Sequence, residues 1–253
     1  MKIEILGCSG GIGQGLKTTT MLIEETLLLD AGSGVELLTM ERLLNIRDVI
    51  ITHAHLDHII GLPLMLATIF EQHRNPIHVY ALPEVISALQ THIFNWTIWP
   101  DYTVLPEENP IIRLHSIQVG DTFNIQNKTI TVIPAEHPTP TAGYLIQADA
   151  NSLLFTGDSG LNERLVPLLN THQPNLLIID VSFSDESIAL AQLSGHLTPS
   201  MLVEQLQSLN YNPLIAITHL KPGIEERIMQ QCLQLLPQQR VQRLEQGAVI
   251  TLP

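Results

Sequence analysis

The sequence predicts an α/β fold in which two mixed β-sheets lie face to face with helices on both outer faces. Three observations predict it. Short β-branched or Leu-rich runs alternate with helical patterns along the chain. The N-terminal portion is rich in hairpin-like strands, whereas the C-terminal portion alternates strand and helix. No single phosphate loop opens a doubly wound parallel sheet, so the pattern fits two packed mixed sheets better.

Lys2–Leu6 alternates like a first strand. The glycines of Gly7–Gly15 could belong to a dinucleotide loop, but their spacing does not give G-x-G-x-x-G opening a helix. Thr18-Thr19-Thr20 and a strand follow instead. Further strands are expected at Thr20–Glu24, Thr26–Asp30, Asp48–Thr52, Ile77–Tyr80, Ile112–Ile117, Thr129–Pro134, Gly143–Gln147, Leu153–Thr156, Leu176–Asp180, Leu214–Thr218 and Ala248–Leu252. Helices are expected to begin near Ser33, His58, Pro83, Asn162, Ser187, Pro199 and Ile224. The start at Pro199 is the clearest, because Thr198 can cap the free amides and proline suits the first helical position.

With 253 residues, 45% of them hydrophobic, the chain can bury a substantial core. No linker-like or repetitive tract interrupts it, so residues 1–253 are expected to form one domain. Its apolar stretches fall short of the roughly 20 residues that span a bilayer. The first strand lacks the unbroken apolar run of a signal peptide, which predicts a cytoplasmic protein without membrane partners. Cys8 and Cys232 are too few for a disulfide scaffold and read as buried thiols. The formal net charge is −13, from 25 acidic against 12 basic side chains. Nucleic acids gain affinity mainly by exchanging counterions for Lys and Arg, so this surface disfavours tRNA or DNA. Bound divalent cations would offset part of that charge locally and favour a small anionic substrate.

The chemistry is concentrated at the end of one strand, in Val49-Ile50-Ile51-Thr52-His53-Ala54-His55-Leu56-Asp57-His58. Side chains two apart on an extended segment point the same way, so His53 and His55 can grip one ion. Asp57 and His58 stand where the chain turns into the expected Ile59–Phe70 helix and can address a second. Imidazole and carboxylate ligands suit zinc, with manganese or iron as alternatives. The bland reading is a polar turn that caps a helix. Three later segments repeat the theme of a ligand-type residue after an apolar run: Glu136-His137-Pro138, Thr156-Gly157-Asp158-Ser159 and Thr218-His219-Leu220-Lys221-Pro222. Asp30 ends a further strand. It could ligate metal or cap a helix, but metal-bound imidazoles usually donate their other N–H to an acceptor, and orienting a histidine is its expected task.

In this order, these elements resemble the motif set of the metallo-β-lactamase superfamily, over nearly the whole chain. The resemblance implies an αββα four-layer sandwich with two divalent metal ions at one edge, between the sheets. It implies that His53, His55 and His137 hold one ion, that Asp57, His58 and His219 hold the other, and that Asp158 bridges them. A hydroxide between the ions would then be the nucleophile. No cysteine lies in the motifs, in keeping with the phosphodiesterase branches.

Several segments are similar to the class II 3′,5′-cyclic nucleotide phosphodiesterases: His53–Leu62, Ile93–Asp101, Ser194–Pro199 and Thr218–Pro222. Pro63-Leu64-Met65-Leu66 departs from that pattern. The implied activity is hydrolysis of a cyclic nucleotide to a nucleoside 5′-monophosphate. His196, in a segment also similar to one in RNase Z, could protonate the leaving oxygen or simply be a hydrogen-bonded structural histidine. Asp57 could accept a proton from the attacking hydroxide or pair with His196. Trp96 and Trp99, with Phe94 and Tyr102, could stack on a nucleobase, form a homodimer contact, or pack under a loop. The rival activities are tRNA 3′-processing of the RNase Z kind and hydrolysis of another small ester. Only about 20 residues separate His137 from Asp158, which leaves no room for the long arm of RNase Z. A sensor that holds its ligand without turnover, or a flavodiiron-type redox protein, fits the complete ligand set less well.

Overall fold

Strands β1 (Lys2–Gly7), β2 (Thr20–Ile23) and β3 (Leu27–Leu29) run antiparallel in the computed structural model, which describes residues 1–72 and 75–252. β4 (Asp48–Ile50), β5 (Ile77–Ala81) and β6 (Ile112–Ser116) then continue the same sheet in parallel. The chain repeats this plan in a second sheet. β7 (Thr122–Ile125), β8 (Lys128–Pro134), β9 (Ala142–Ala148) and β10 (Asn151–Phe155) are antiparallel, and β11 (Leu176–Asp180), β12 (Leu214–Thr218) and β13 (Arg240–Arg243) extend them in parallel. β14 (Val249–Thr251) returns to pair with β1. The orders are β14-β1-β2-β3-β4-β5-β6 and β13-β12-β11-β10-β9-β8-β7.

Helices α1 (Met40–Asn45), α2 (Leu56–Ile59), α3 (Gly61–Ile69) and α4 (Pro83–Ala88) accompany the first sheet. α5 (Leu165–His172), α6 (Ile188–Ser194), α7 (Pro199–Leu206) and α8 (Glu225–Leu235) accompany the second. Among the described residues, no helix is long and apolar enough to cross a membrane.

The second sheet shows why its strands read as unbroken apolar runs. Leu153, Phe155, Leu176, Ile178 and Ala216 join the core shared with the first sheet. Their neighbours Leu154, Leu177, Ile179, Ile215 and Ile217 join a second core against α5, α7 and α8. A strand buried on both faces has no polar side to alternate. The sheets are also tied by a fully buried hydrogen bond in which Tyr144 Oη donates to Ile51 O at 2.7 Å.

Each of the expected strands is present, with ends shifted by a few residues. Two strands were not expected, β7 and β13. Their sequences, Thr-Phe-Asn-Ile and Arg-Val-Gln-Arg, carry little apolar signal because they are the outer strands of the second sheet. α1 was not expected either; Thr39 Oγ1 caps it by accepting from Arg42 N at 3.4 Å. The helix expected near Asn162 begins only at Leu165. The Asn162 side chain instead donates to Pro134 O at 2.9 Å and accepts from Arg164 N at 3.0 Å, which holds a turn. α7 starts as expected, with Pro199 in its first turn and Thr198 Oγ1 accepting from Met201 N.

Candidate metal centre

The ends of β3, β4, β8, β10, β11 and β12 deliver Asp30, the His53–His58 turn, His137, Asp158, the 180–182 turn and His219 to one place. Ligand-type atoms of His53, His55, His137 and Asp158 lie within 4.8 Å of one another, and those of Asp57, His58 and His219 form a second such group. Asp158 joins the two. Its Oδ2 lies 3.7 Å from His53 Nε2, 3.3 Å from His58 Nε2 and 3.3 Å from His219 Nε2. Asp57 Oδ2 lies 3.2 Å from His219 Nε2 and 3.8 Å from His58 Nε2. All seven residues proposed as ligands therefore converge. His196 stands with them, within the same reach of Asp158 and His219.

Each histidine is held through its other nitrogen. His58 Nδ1 donates to Asp30 Oδ2 at 2.7 Å, and His137 Nδ1 donates to Gly195 O at 3.0 Å. Gly195 sits at φ +70°, and a Cβ there would stand 2.5 Å from Pro138 Cδ, so a side chain is excluded where His137 is anchored. His53 Nδ1 lies 3.0 Å from Thr52 Oγ1, which itself donates to Asp30 Oδ2 at 2.8 Å. His219 Nδ1 donates to Ser182 Oγ at 2.8 Å, and Ser182 passes its proton toward Asp180 Oδ1 at 2.6 Å. Both Asp30 and His219 adopt positive φ, +56° and +61°, a backbone strain of about 1–3 kcal/mol each for residues other than glycine.

These residues fit divalent metal ions. His58 commits Nδ1 to Asp30 and turns a buried Nε2, 3.3 Å from Asp158 Oδ2 and 3.8 Å from Asp57 Oδ2, toward two carboxylates. Carboxylates gathered at so buried a spot are costly unless a cation, a proton or a metal ion, lies among them. Burial holds His53 well below the ordinary histidine pKa and also lowers His55 and His137, so these imidazoles are neutral, as ligands must be. Burial opposes charge on His58 too, but the Asp158 and Asp30 carboxylates outweigh it and raise its proton affinity well above normal. A spot that attracts a proton so strongly attracts a metal ion for the same reason. Burial alone would raise the Asp158 carboxyl; His219 and His58 instead hold it well below the usual range.

Two residues that the sequence reading did not single out complete the arrangement. Asp180 Oδ2 accepts from His196 Nδ1 at 2.6 Å, and Asp180 is fully buried. The carboxylate paired with His196 is thus Asp180, whereas Asp57 pairs with His219. Burial works against charge on His196, and the Asp180 carboxylate outweighs it to raise the pKa. Ser182 links Asp180 to His219. Asp180 carried the same signal as Asp30, an aspartate ending an apolar strand, but looked like the end of a core strand.

The aromatic segment packs at the C-terminal end of α3. Phe94 is buried, and Tyr102 stacks on Phe70 with ring centroids 5.3 Å apart, just beyond the C-terminal end of α3. α3 rises roughly 13 Å over its length, leading away from His58 at its other end. Trp99 is half-buried against the core, and Trp96 is 64% exposed.

Comparison with known proteins identifies the family. A family model described as "Beta-lactamase superfamily domain" matches residues 25–219. The chain is 27% identical to a 3′,5′-cyclic-nucleotide phosphodiesterase of Aliivibrio fischeri, covering 87% of this chain and 81% of the relative. It is 24% identical to a probable 3′,5′-cyclic-nucleotide phosphodiesterase of Yersinia pestis, over 72% of this chain but only 59% of that protein. A ribonuclease Z of Acaryochloris marina is 28% identical over 58% of this chain and 48% of the relative. The crystal structure of unliganded yeast PDE1 superposes with a TM-score of 0.84, at 18% identity and 99% coverage of both chains. That likeness shows the fold, an αββα sandwich.

Proposed function

The chain belongs to the beta-lactamase superfamily, and on that premise we propose that it is a metal-dependent phosphodiesterase that opens a 3′,5′-cyclic nucleotide to the nucleoside 5′-monophosphate. The observation that carries this reading is the pair of ligand groups sharing Asp158, with His196 poised beside them. Similarity to the phosphodiesterase of Aliivibrio fischeri and the probable phosphodiesterase of Yersinia pestis supports a cyclic nucleotide as substrate.

His53, His55 and His137 would hold one ion and Asp57, His58 and His219 the other, with Asp158 common to both. Such ions, when bound, lower the pKa of water toward neutrality and neutralise charge on a phosphoryl group. The nitrogen-rich set favours zinc, with manganese or iron as alternatives. As a water oxygen bonds to phosphorus, Asp57, whose side chain is 32% exposed, takes the released proton. As the bond from phosphorus to the ribose 3′ oxygen breaks, His196 donates a proton to that oxygen. Asp180 holds His196 Nδ1, so the proton given up is the one on Nε2. The substrate is small and anionic. The net charge of −13 gives no support to a polyanionic one.

Metal-loaded protein should convert 3′,5′-cyclic AMP or GMP to the 5′-monophosphate, as read by chromatography, and a chelator should stop it. Cleavage of a tRNA precursor with every cyclic nucleotide left intact would reverse the assignment in favour of ribonuclease Z-like chemistry.

A further inference from the structure

A groove of about 360 Å³ opens beside the metal centre, and His137 forms part of its wall. Its volume falls within the roughly 300–1,000 Å³ typical of small-molecule sites. Three turns build it: Leu82 and Pro83 enter α4, Val119 lies between β6 and β7, and Pro140 lies between β8 and β9. These side chains give apolar walls drawn from the margins of both sheets. Besides His137 and Thr141, two exposed polar side chains stand in the same lining, Glu84 in the first turn of α4 and Gln118. Neither side chain has a hydrogen-bond or ion-pair partner among the described residues. Glu136, in a second groove of about 380 Å³ that also reaches His137, is by contrast engaged by Arg164 at 2.8 Å.

We propose that the groove between Pro83, Val119 and Pro140 is the subsite for the nucleobase, and that Glu84 selects a base bearing an exocyclic amine. This rests on the reading of the chain as a cyclic nucleotide phosphodiesterase. A cyclic nucleotide is rigid, so a phosphate at the metals sends the base into an adjoining groove. Apolar walls suit the faces of a heterocycle, which every base has. The edge is read by hydrogen bonds. A free carboxylate accepts from an amine and repels a carbonyl oxygen, whereas the Gln118 amide can donate or accept. A carbonyl oxygen in the amine's place would meet the Glu84 carboxylate acceptor to acceptor, which disfavours that analogue.

The test compares 3′,5′-cyclic AMP with 3′,5′-cyclic IMP, which carries a carbonyl oxygen in place of the amine. Bis(p-nitrophenyl) phosphate, which has no base, serves as a third substrate. Wild-type protein should favour cyclic AMP over cyclic IMP by about tenfold or more in kcat/KM. Glu84→Gln should abolish that preference, mainly through KM, since its amide can donate to the IMP oxygen. Val119→Asp should raise KM for both cyclic nucleotides relative to the base-free diester. The proposal is overturned if Glu84→Gln keeps the wild-type preference, or if Gln192→Ala in the second groove moves KM and Val119→Asp does not. Cleavage of the base-free diester with no cyclic nucleotide turned over would instead sink the cyclic nucleotide reading itself, and the subsite with it.

Discussion

Asp30 and Asp180, one from each sheet, play matching parts beside the histidines. Each is fully buried at the end of an apolar strand, and each holds one histidine directly and a second through a hydroxyl. Asp30 accepts from His58 and, through Thr52, orients His53. Asp180 accepts from His196 and, through Ser182, orients His219. Neither is placed as a ligand; both fix which nitrogen of an imidazole faces the centre.

Asp30→Asn should test the first of these. Its Oδ1 can still accept from Thr52 N, as the carboxylate does at 2.7 Å. The amide then turns a donor toward His58 Nδ1, which forces the imidazole proton onto Nε2, the atom meant for metal. Metal affinity should fall by about 10–100-fold while the protein still folds. Titration with zinc, read by calorimetry, checks it; unchanged affinity would make Asp30 structural only.

Asp180→Asn and His196→Ala should separate proton donation from metal binding. His196→Ala should lower turnover of a cyclic nucleotide by about 10²–10⁴-fold, with Asp180→Asn showing a smaller loss in the same direction. Nitrophenolate needs no protonation to leave, so hydrolysis of bis(p-nitrophenyl) phosphate should suffer far less. Equal losses on both substrates would return His196 to a structural role.

Tyr144→Phe removes a buried donor and leaves Ile51 O unpaired between the sheets. That should destabilise the fold by about 1–3 kcal/mol, seen as a lower urea midpoint at unchanged m.

Burial pushes the Cys8 thiol up to about 11 and the Cys232 thiol up to about 12. Burial disfavours the thiolate, so at pH 8 both stay protonated when folded. Ellman's reagent should find almost no reactive thiol in the native protein and two per chain in guanidinium. In the unfolded chain the thiols ionise near their usual value of about 8.5. Fast native reaction of either would contradict their packing.

The ligand set was legible in the sequence because each member follows an apolar run that marks a strand end. The sandwich was legible from the change between hairpin-like and strand–helix patterns. β7 and β13 were not, because outer strands take their structure from a partner rather than from apolar alternation. Asp180 and Ser182 were missed for a related reason. Their significance lies in what they touch, His196 and His219, which are 16 and 37 residues away. Sequence also could not tell where the Trp96 segment would land. Only the packing of Tyr102 on Phe70 puts it at the far end of α3 from His58.

Counting ions tests the dinuclear centre most directly. Metal analysis of zinc-loaded, desalted protein should find two ions per chain, and Asp158→Ala, which removes the carboxylate common to both groups, should lose them together with activity. A single ion per chain, or two ions retained by Asp158→Ala, would contradict the shared site.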